Sequence, residues 1–146
     1  MIDITRLKDI REDNDLSQEK MAQILHVKRS AYSLWELGIS IIPFNHLYDF
    51  ASYFNLSIDY VIGLTNERTK TEYPSFDLKS IGESLKEIRL ANNMLQKDLA
   101  SKLKTTQACI ARYEAGIICI STSNIYKYSQ IFKTSITSLC QRKIPA

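Results

Sequence analysis

Two stretches of the chain share one frame: residues 7–25 read LKDIREDNDLSQEKMAQIL and residues 85–103 read LKEIRLANNMLQKDLASKL. They align without a gap at an offset of 78 residues, and the alignment continues as far as Ile62 over Cys140. Self-similarity at a fixed offset indicates that one structural unit occurs twice. Two copies are too few for a solenoid, and about 60 residues suffice for a small domain to fold alone. The repeat therefore predicts two separate small domains.

The segment between the copies, TNERTKTEYPSFDLK, is polar, contains Pro74 and shows no helical periodicity, so it is predicted to be a linker. We expect an N-terminal domain at 1–64, the linker at 65–79 and a C-terminal domain at 80–146. The stretch Ser80-Ile81-Gly82-Glu83 is typical of a capping box and predicts the start of the first helix of the second copy.

Each copy shows short helical patterns separated by turn signals. Ser17 and Ser57 are suitable N-caps, whereas Leu95, which matches Ser17, has no side-chain acceptor. Gly38 and Gly116 are suited to end the third helix of each copy. No stretch alternates convincingly with period two, so the predicted fold class is all-α, with five short helices in each domain. The link between helices two and three is only about three residues, a spacing typical of a helix-turn-helix.

Composition narrows the classes of function. The chain is 45% hydrophobic and 24% charged, as in ordinary soluble proteins. Its three cysteines lack metal-type spacing, which predicts reduced thiols in a cytoplasm and neither a metal nor a cofactor. No run approaches the ~18 apolar residues of a membrane span. No nucleophile–base set or phosphate loop appears either, so the chain is not expected to be an enzyme.

The net charge of +3 hides an asymmetry between the copies. Residues 1–64 carry six basic and nine acidic side chains, a net charge of −3. Residues 80–146 carry ten basic and four acidic side chains, a net charge of +6. The second copy therefore suits a polyanionic partner and the first does so poorly.

Both copies resemble the Cro/C1-type helix-turn-helix family of phage-repressor-like and XRE-like regulators. The first copy carries LSQEKMAQIL, VKRSAYSLWELG and ASYFNLSIDYVIGL, and the second carries LQKDLASKL, TTQACIARYEAG and SQIFKTSITSLC. The resemblance implies a tandem repeat of lambda-repressor-like five-helix domains, each containing a helix-turn-helix. It also implies a sequence-specific regulator of transcription, acting as a repressor on double-stranded DNA.

The resemblance assigns roles to single residues. Gln18 and Gln96 match a glutamine that touches the DNA backbone. An internal ion pair of the fold is matched by Arg11 with Glu36 and by Arg89 with Glu114. The groove-facing positions hold Arg29, Ser30, Ser33 and Leu34 in the first copy, and Gln107, Ala108, Ala111 and Arg112 in the second.

The groove-facing residues of the second copy suit DNA chemically. Gln107 can bond adenine through N6 and N7, and Arg112 can bond guanine through O6 and N7. Ala108 and Ala111 allow close approach and can meet a thymine methyl group. Thr106, at the start of the helix, can bond a phosphate where the helix dipole favours an anion. We therefore predict DNA contact by this helix.

The first copy leaves two interpretations open. Lys28 and Arg29 suit phosphates or a guanine, which favours DNA contact. Apolar residues, however, occupy outward positions or the following loop, where an exposed patch would mark a protein partner: Leu34, Leu37, Ile39 and Ile41. Burial of the isoleucines under the fourth helix is the alternative. An antitoxin or protein-interaction module is thus the second function considered, and another protein or a homodimer is a partner to test.

Two further expectations concern the turn and the core. His26 and Lys104 stand where the family commonly has Gly, because the turn can require positive φ, so both are predicted to be turn residues. The inner face of the third helix of each copy is predicted to be core: Tyr32, Trp35, Ile110 and Tyr113.

The linker limits how two DNA-reading heads could act together. Members of the family generally dimerise and read half-sites about 34–36 Å apart. A linker of roughly 15 residues reaches at most ~50 Å, which permits both heads on adjacent half-sites. The two copies differ at every groove-facing position, so one chain is expected to read two unlike half-sites.

Overall fold

The computed structural model describes residues 2–141, which form ten helices. The chain divides into two compact units, residues 1–72 and residues 73–146. The last five residues of the predicted domain 80–146 lie outside the described part. The helices of the first unit are α1 Thr5–Asp13, α2 Gln18–Ile24, α3 Arg29–Leu37, α4 Phe44–Phe54 and α5 Ile58–Val61. Those of the second unit are α6 Leu78–Ala91, α7 Gln96–Lys102, α8 Gln107–Glu114, α9 Thr122–Phe132 and α10 Ile136–Gln141.

The all-α prediction with five helices in each unit is confirmed. Strand-like pairing in the described residues amounts to one isolated antiparallel bridge, between Leu56 and Lys70. No helix within residues 2–141 has the length and apolar character needed to cross a bilayer.

Helix starts follow the predictions at Ser17, Ser57 and Leu95, and differ from them at α6. The hydroxyl oxygens of Ser17 and Ser57 accept the N–H groups of Lys20 and Tyr60, each at 3.0 Å, whereas α7 begins after Leu95 without a side-chain cap. The predicted capping box at Ser80 is wrong. Helix α6 begins earlier because the Asp77 carboxylate accepts the Lys79 N–H at 3.0 Å and the Ser80 hydroxyl at 2.9 Å. A carboxylate at the positive end of a helix is a strong cap, and this one leaves Ser80 inside the first turn.

The same positions are buried in both units. The predicted core residues of the third helices, Tyr32, Trp35, Ile110 and Tyr113, are all buried. Matching pairs from the other helices and loops complete each core: Leu7 and Leu85, Ala22 and Ala100, Leu25 and Leu103, Ile42 and Ile120, Ile58 and Ile136. Each unit therefore folds around its own apolar centre, on which its second and third helices rest.

The turn between the second and third helices has the predicted backbone conformation. His26 has φ 58° and Lys104 has φ 55°, so both are left-handed. Each closes the preceding helix, with the His26 N–H donating to the Gln23 carbonyl at 3.1 Å and the Lys104 N–H to the Ser101 carbonyl at 3.2 Å. The chain changes direction at these residues, which sets the third helix at an angle to the second.

Replacing Lys104 with glycine is expected to raise the free energy of unfolding of the second unit by about 0.5–1 kcal/mol. Glycine adopts positive φ without the strain that a Cβ atom causes, and only part of this gain is offset by its greater freedom in the unfolded chain. Urea unfolding followed by circular dichroism measures the change. Lys86→Gly, in the exposed middle of α6, is the matched control and should lower the free energy by about 1 kcal/mol. An equal loss of stability in Lys104→Gly and Lys86→Gly would contradict the strain assigned to the left-handed conformation of Lys104.

Candidate nucleic-acid interface

Helix α8 presents its N-terminal turn and one face to solvent. The Thr106 hydroxyl oxygen accepts the Cys109 N–H at 3.1 Å and caps the helix, while its own hydrogen can still donate outward. Thr106, Gln107, Ala108 and Arg112 are exposed and Ala111 is half-buried, whereas Ile110 and Tyr113 point into the core. Among the described residues, no hydrogen bond or ion pair holds the side chain of Gln107 or of Arg112. The structure therefore places every residue predicted to read bases in the second unit on one accessible surface.

A buried charge network fixes the far end of α8. Arg89, from α6, donates through Nε to Glu114 Oε2 at 2.7 Å and through Nη2 to Oε1 at 2.9 Å. Its Nη1 donates to the Met94 carbonyl at 2.8 Å, and Gln96 Nε2 donates to Glu114 Oε1 at 3.0 Å. The hydrogen bonds that Arg89 donates to Glu114 are the main cause that raises the pKa of Arg89, so its guanidinium stays protonated.

The first unit contains the same network, atom for atom. Arg11 Nε and Nη2 donate to Glu36 at 2.7 Å and 3.0 Å, Nη1 donates to the Leu16 carbonyl at 2.8 Å, and Gln18 Nε2 donates to Glu36 at 3.0 Å. Burial by itself would raise the pKa of Glu36, but hydrogen bonds from Arg11 and other neighbours outweigh it and leave that pKa lowered. The structure thus brings together both predicted ion pairs and ties each predicted backbone-contacting glutamine to them. Each glutamine amide carries a second hydrogen that can donate to a phosphate.

Close backbone packing of α6 also positions α8. A Cβ atom on Gly82 would meet the Tyr113 carbonyl oxygen and would lie 2.7 Å from the Glu114 carbonyl oxygen. Gly116, with φ 71°, follows the end of α8 and lies close to α6, because a Cβ atom added to it would be 2.8 Å from the Lys79 Cα. The C-terminal end of α8 is therefore held directly against the first turns of α6.

Gly82→Ala is expected to lower the free energy of unfolding of the second unit by about 1–3 kcal/mol, because the added methyl group overpacks a contact with backbone atoms. Helix propensity alone predicts the opposite sign, a gain of about 1 kcal/mol. Urea unfolding by circular dichroism decides between them. Glu83→Ala, at the exposed neighbouring position, should change stability by less than about 0.5 kcal/mol. A Gly82→Ala protein that needs more urea to unfold would rule out the close contact.

Helix α3 of the first unit presents a mixed surface. Lys28, Arg29 and Ser30 are exposed and Ser33 is half-buried, and α3 starts without a side-chain cap. The apolar residues that follow are also open to solvent, with exposed fractions of 39% for Leu34, 67% for Leu37, 70% for Ile39 and 50% for Ile41. These four residues form what we call the apolar patch. Ile42 alone of the loop isoleucines is buried, so burial under the fourth helix does not account for the others.

Comparison with known proteins agrees with this geometry. A family model described as Helix-turn-helix (HTH_3) matches the chain twice, over residues 7–61 and 85–139. The chain belongs to the Cro/C1-type helix-turn-helix family. Among curated proteins it is similar to the uncharacterized HTH-type transcriptional regulator YobD of Bacillus subtilis (strain 168). The two are 28% identical over 80 residues, a match that covers 55% of this chain and 68% of that protein.

Both units are thus Cro/C1-type domains, a DNA-binding class of transcription regulator. The sequence alone predicts the net charge of the second domain and not where its basic side chains lie. The structure shows that three lysines on and beside α7, the helix that packs against α8, are exposed: Lys97, Lys102 and Lys104. Comparing the two copies could have predicted this basic cluster, since the three matching positions of the first domain carry no lysine. They hold Glu19, Ile24 and His26.

Proposed function

We propose that the protein is a transcription repressor whose second unit reads base pairs in the major groove of double-stranded DNA with α8. The observation that carries the proposal is the exposed face of that helix. Its outer residues are short or forked polar side chains and alanines, while its inner residues are buried in the core. Such a surface can enter the groove, and the Arg89–Glu114 pair and Gly82 hold it in place.

Each side chain on this face has a chemical counterpart on DNA. Gln107 suits the N6 and N7 atoms of adenine, and Arg112 suits the O6 and N7 atoms of guanine. Ala108 and Ala111 let the helix approach and can touch a thymine methyl group. Thr106 can donate its hydroxyl hydrogen to a phosphate at the positive end of α8.

Phosphate contacts would come from the rim of the same surface. Gln96 has an amide hydrogen beyond the one that it donates to Glu114, and Lys97, Lys102 and Lys104 are exposed nearby. The net charge of +6 over residues 80–146 supports this orientation of the domain toward a polyanion.

The first unit would add a second, weaker reading head. Lys28 and Arg29 suit phosphates or a guanine, and Ser30 and Ser33 suit close approach, but Leu34 replaces the arginine of the second unit. One chain would therefore recognise two unlike half-sites. Occupying such a site can block transcription by steric exclusion alone, which favours repression.

Selection of bound duplexes from a random library, with the full chain, tests the proposal. Enrichment of one pair of unlike half-sites supports it, and a reporter gene placed behind that pair should be expressed less when the protein is present. A palindrome would instead indicate a dimer of chains in which a single type of head reads DNA. No enrichment would contradict sequence-specific binding.

A second candidate function is favoured by the apolar patch. Four apolar side chains exposed on and after α3 are typical of a protein-binding surface, such as that by which an antitoxin grips its partner. Copurification tests this: a stoichiometric partner should be captured by the wild type and lost in Leu34→Asp/Leu37→Asp. A partner that still copurifies with the double variant does not bind through the apolar patch.

A further inference from the structure

The first turn of α8 carries Gln107 and Ala108, and the N-terminal residues of a recognition helix are those that contact base edges. The Arg89–Glu114 pair and Gly82 hold the opposite end of the helix. A different set of side chains reaches the first turn from inside the domain, and it is centred on Tyr113.

The Tyr113 hydroxyl group links α8 to α9. Asn124, in the first turn of α9, donates through Nδ2 to Tyr113 Oη at 3.0 Å. The backbone of Asn124 is itself fixed, since its N–H donates to the Ser121 hydroxyl oxygen at 3.1 Å. Tyr113 is 7% exposed, so its ring belongs to the core while its hydroxyl meets the start of α9. The position of this hydroxyl is therefore set by a second helix.

The Cys109 side chain lies one helical turn before Tyr113, because side chains four residues apart on a helix are neighbours. Burial is the main cause that raises the pKa of Tyr113, and hydrogen bonding with the Cys109 thiol is the next. The Cys109 N–H in turn donates to the Thr106 cap at 3.1 Å. Asn124, Tyr113 and Cys109, which we call the tyrosine link, thus join α9 to the first turn of α8.

Within the described residues, the first unit has no counterpart of the tyrosine link. The matching positions hold Ala31, Trp35 and His46, and the centroids of the stacked Trp35 and His46 rings are 5.4 Å apart. Alanine has no side-chain acceptor, and tryptophan has no hydroxyl group. Helix α3 also starts without a side-chain cap. The first turn of α8 therefore has two side-chain attachments that the first turn of α3 lacks, although the two helices occupy the same place in the fold.

We propose that Tyr113 is a positioning residue for base reading, which fixes the first turn of α8 through Cys109 and Asn124 so that Gln107 meets its adenine. This role rests on the proposed function, since it concerns DNA read by α8. It divides the reading face into two parts. Gln107 depends on the tyrosine link, whereas Arg112 lies in the last turn, which the Arg89–Glu114 pair holds.

Bidentate pairing makes Gln107 sensitive to small shifts of the first turn. Its amide must align two hydrogen bonds with N6 and N7 of adenine at once, and hydrogen bonds weaken steeply as their angle departs from linearity. Binding groups need to be held within about 0.5 Å of their productive positions. Without the tyrosine link, the first turn can shift while the other end of α8 stays against α6.

The test is a pair of double-mutant cycles with full-length protein and the duplex obtained by selection. Tyr113→Phe removes only the hydroxyl group and should weaken binding about three- to tenfold, a part of the effect of losing one bidentate contact. In a Gln107→Ala background the same substitution should weaken binding less than about twofold, because the contact that it positions is already gone. In an Arg112→Ala background it should weaken binding as much as in the wild type.

Two further variants make the assignment specific. Cys109→Ala installs the residue of the first copy and should weaken binding as much as Tyr113→Phe does, and the two together should weaken it no further. Tyr53→Phe is the matched control, since it removes a hydroxyl group from an exposed tyrosine of the first unit and should change affinity less than about twofold.

Urea unfolding followed by circular dichroism shows whether Tyr113→Phe acts through the fold. Its second unit should remain folded, with a midpoint lower by less than about 1 M, as expected for one lost hydrogen bond. If Tyr113→Phe does not fold, Cys109→Ala still decides the question, because the first unit folds with alanine at the matching position.

The outcomes distinguish this role from the proposed function. A selection without an enriched duplex would overturn the proposed function and the role of Tyr113 with it. Tyr113→Phe and Cys109→Ala proteins that bind the selected duplex as tightly as the wild type would overturn the positioning role while leaving base reading by α8 intact. Equal weakening by Tyr113→Phe in the wild type, Gln107→Ala and Arg112→Ala would show that the hydroxyl supports the whole helix, and would overturn its assignment to Gln107.

Discussion

Arg112→Ala is expected to weaken binding to the selected duplex by roughly 5- to 150-fold, the effect of losing one bidentate contact to guanine. The guanidinium lies exposed on α8 and no hydrogen bond from the described residues holds it, so its removal should leave the fold unchanged. Titration of labelled duplex at a fixed salt concentration measures the loss. Gln107→Ala should also weaken binding, and Arg29→Ala in the first unit should do so less than either.

The control for Arg112 must remove the same charge elsewhere on the second unit. Lys127→Ala does so at an exposed position of α9 and should change affinity by less than about threefold, since a single distant charge is largely screened. An Arg112→Ala protein that binds as tightly as the wild type would contradict the assignment of α8 as the reading helix.

Glu114→Gln is expected to lower the free energy of unfolding of the second unit by about 3–5 kcal/mol. The substitution keeps the shape of the side chain but leaves Arg89 buried without its counter-charge, and breaking one partner of a buried pair has a cost of this size. The chain has a single tryptophan, Trp35 in the first unit, so its fluorescence reports that unit alone. Circular dichroism should therefore show an earlier transition for the second unit, while the fluorescence transition stays in place.

Two variants show whether the uncompensated charge is the cause. Arg89→Met/Glu114→Leu removes both charges and should recover most of the lost stability, because the desolvation penalty disappears with the pair. Glu12→Gln breaks the contacts of the exposed Glu12 carboxylate with Lys8 and Arg11, each at 3.8 Å, and should change stability by less than about 1 kcal/mol. If Glu114→Gln were as mild as Glu12→Gln, the pair would not hold α8 against α6.

The repeat made much of the fold predictable from sequence. Two copies in one frame predicted the helix content, and local signals predicted the caps at Ser17 and Ser57. The left-handed turns at His26 and Lys104 followed from the glycine that the family commonly has at these positions. The inner faces of α3 and α8 were predictable as well, since helical spacing alone separates them from the outer faces. The family assignment rested on the same residues.

Of the features that sequence did not predict, one is a local helix cap and the others are contacts between distant segments. The cap of α6 lies at Asp77 and not at Ser80, because a carboxylate beyond the repeat frame competes for the same amides. Arg6 donates to the Thr65 carbonyl and to the Asn66 side chain, 59 and 60 positions away, and neither periodicity nor composition indicates such a contact. The close approach of α6 to α8 at Gly82 is likewise a tertiary contact.

Repeating the duplex selection with Arg112→Leu, which installs the residue that the first unit carries at the matching position, tests the reading role of α8 most directly. We predict that one half-site loses its preference for guanine at a single base pair while the other half-site is unchanged. An enriched motif identical to that of the wild type would contradict it.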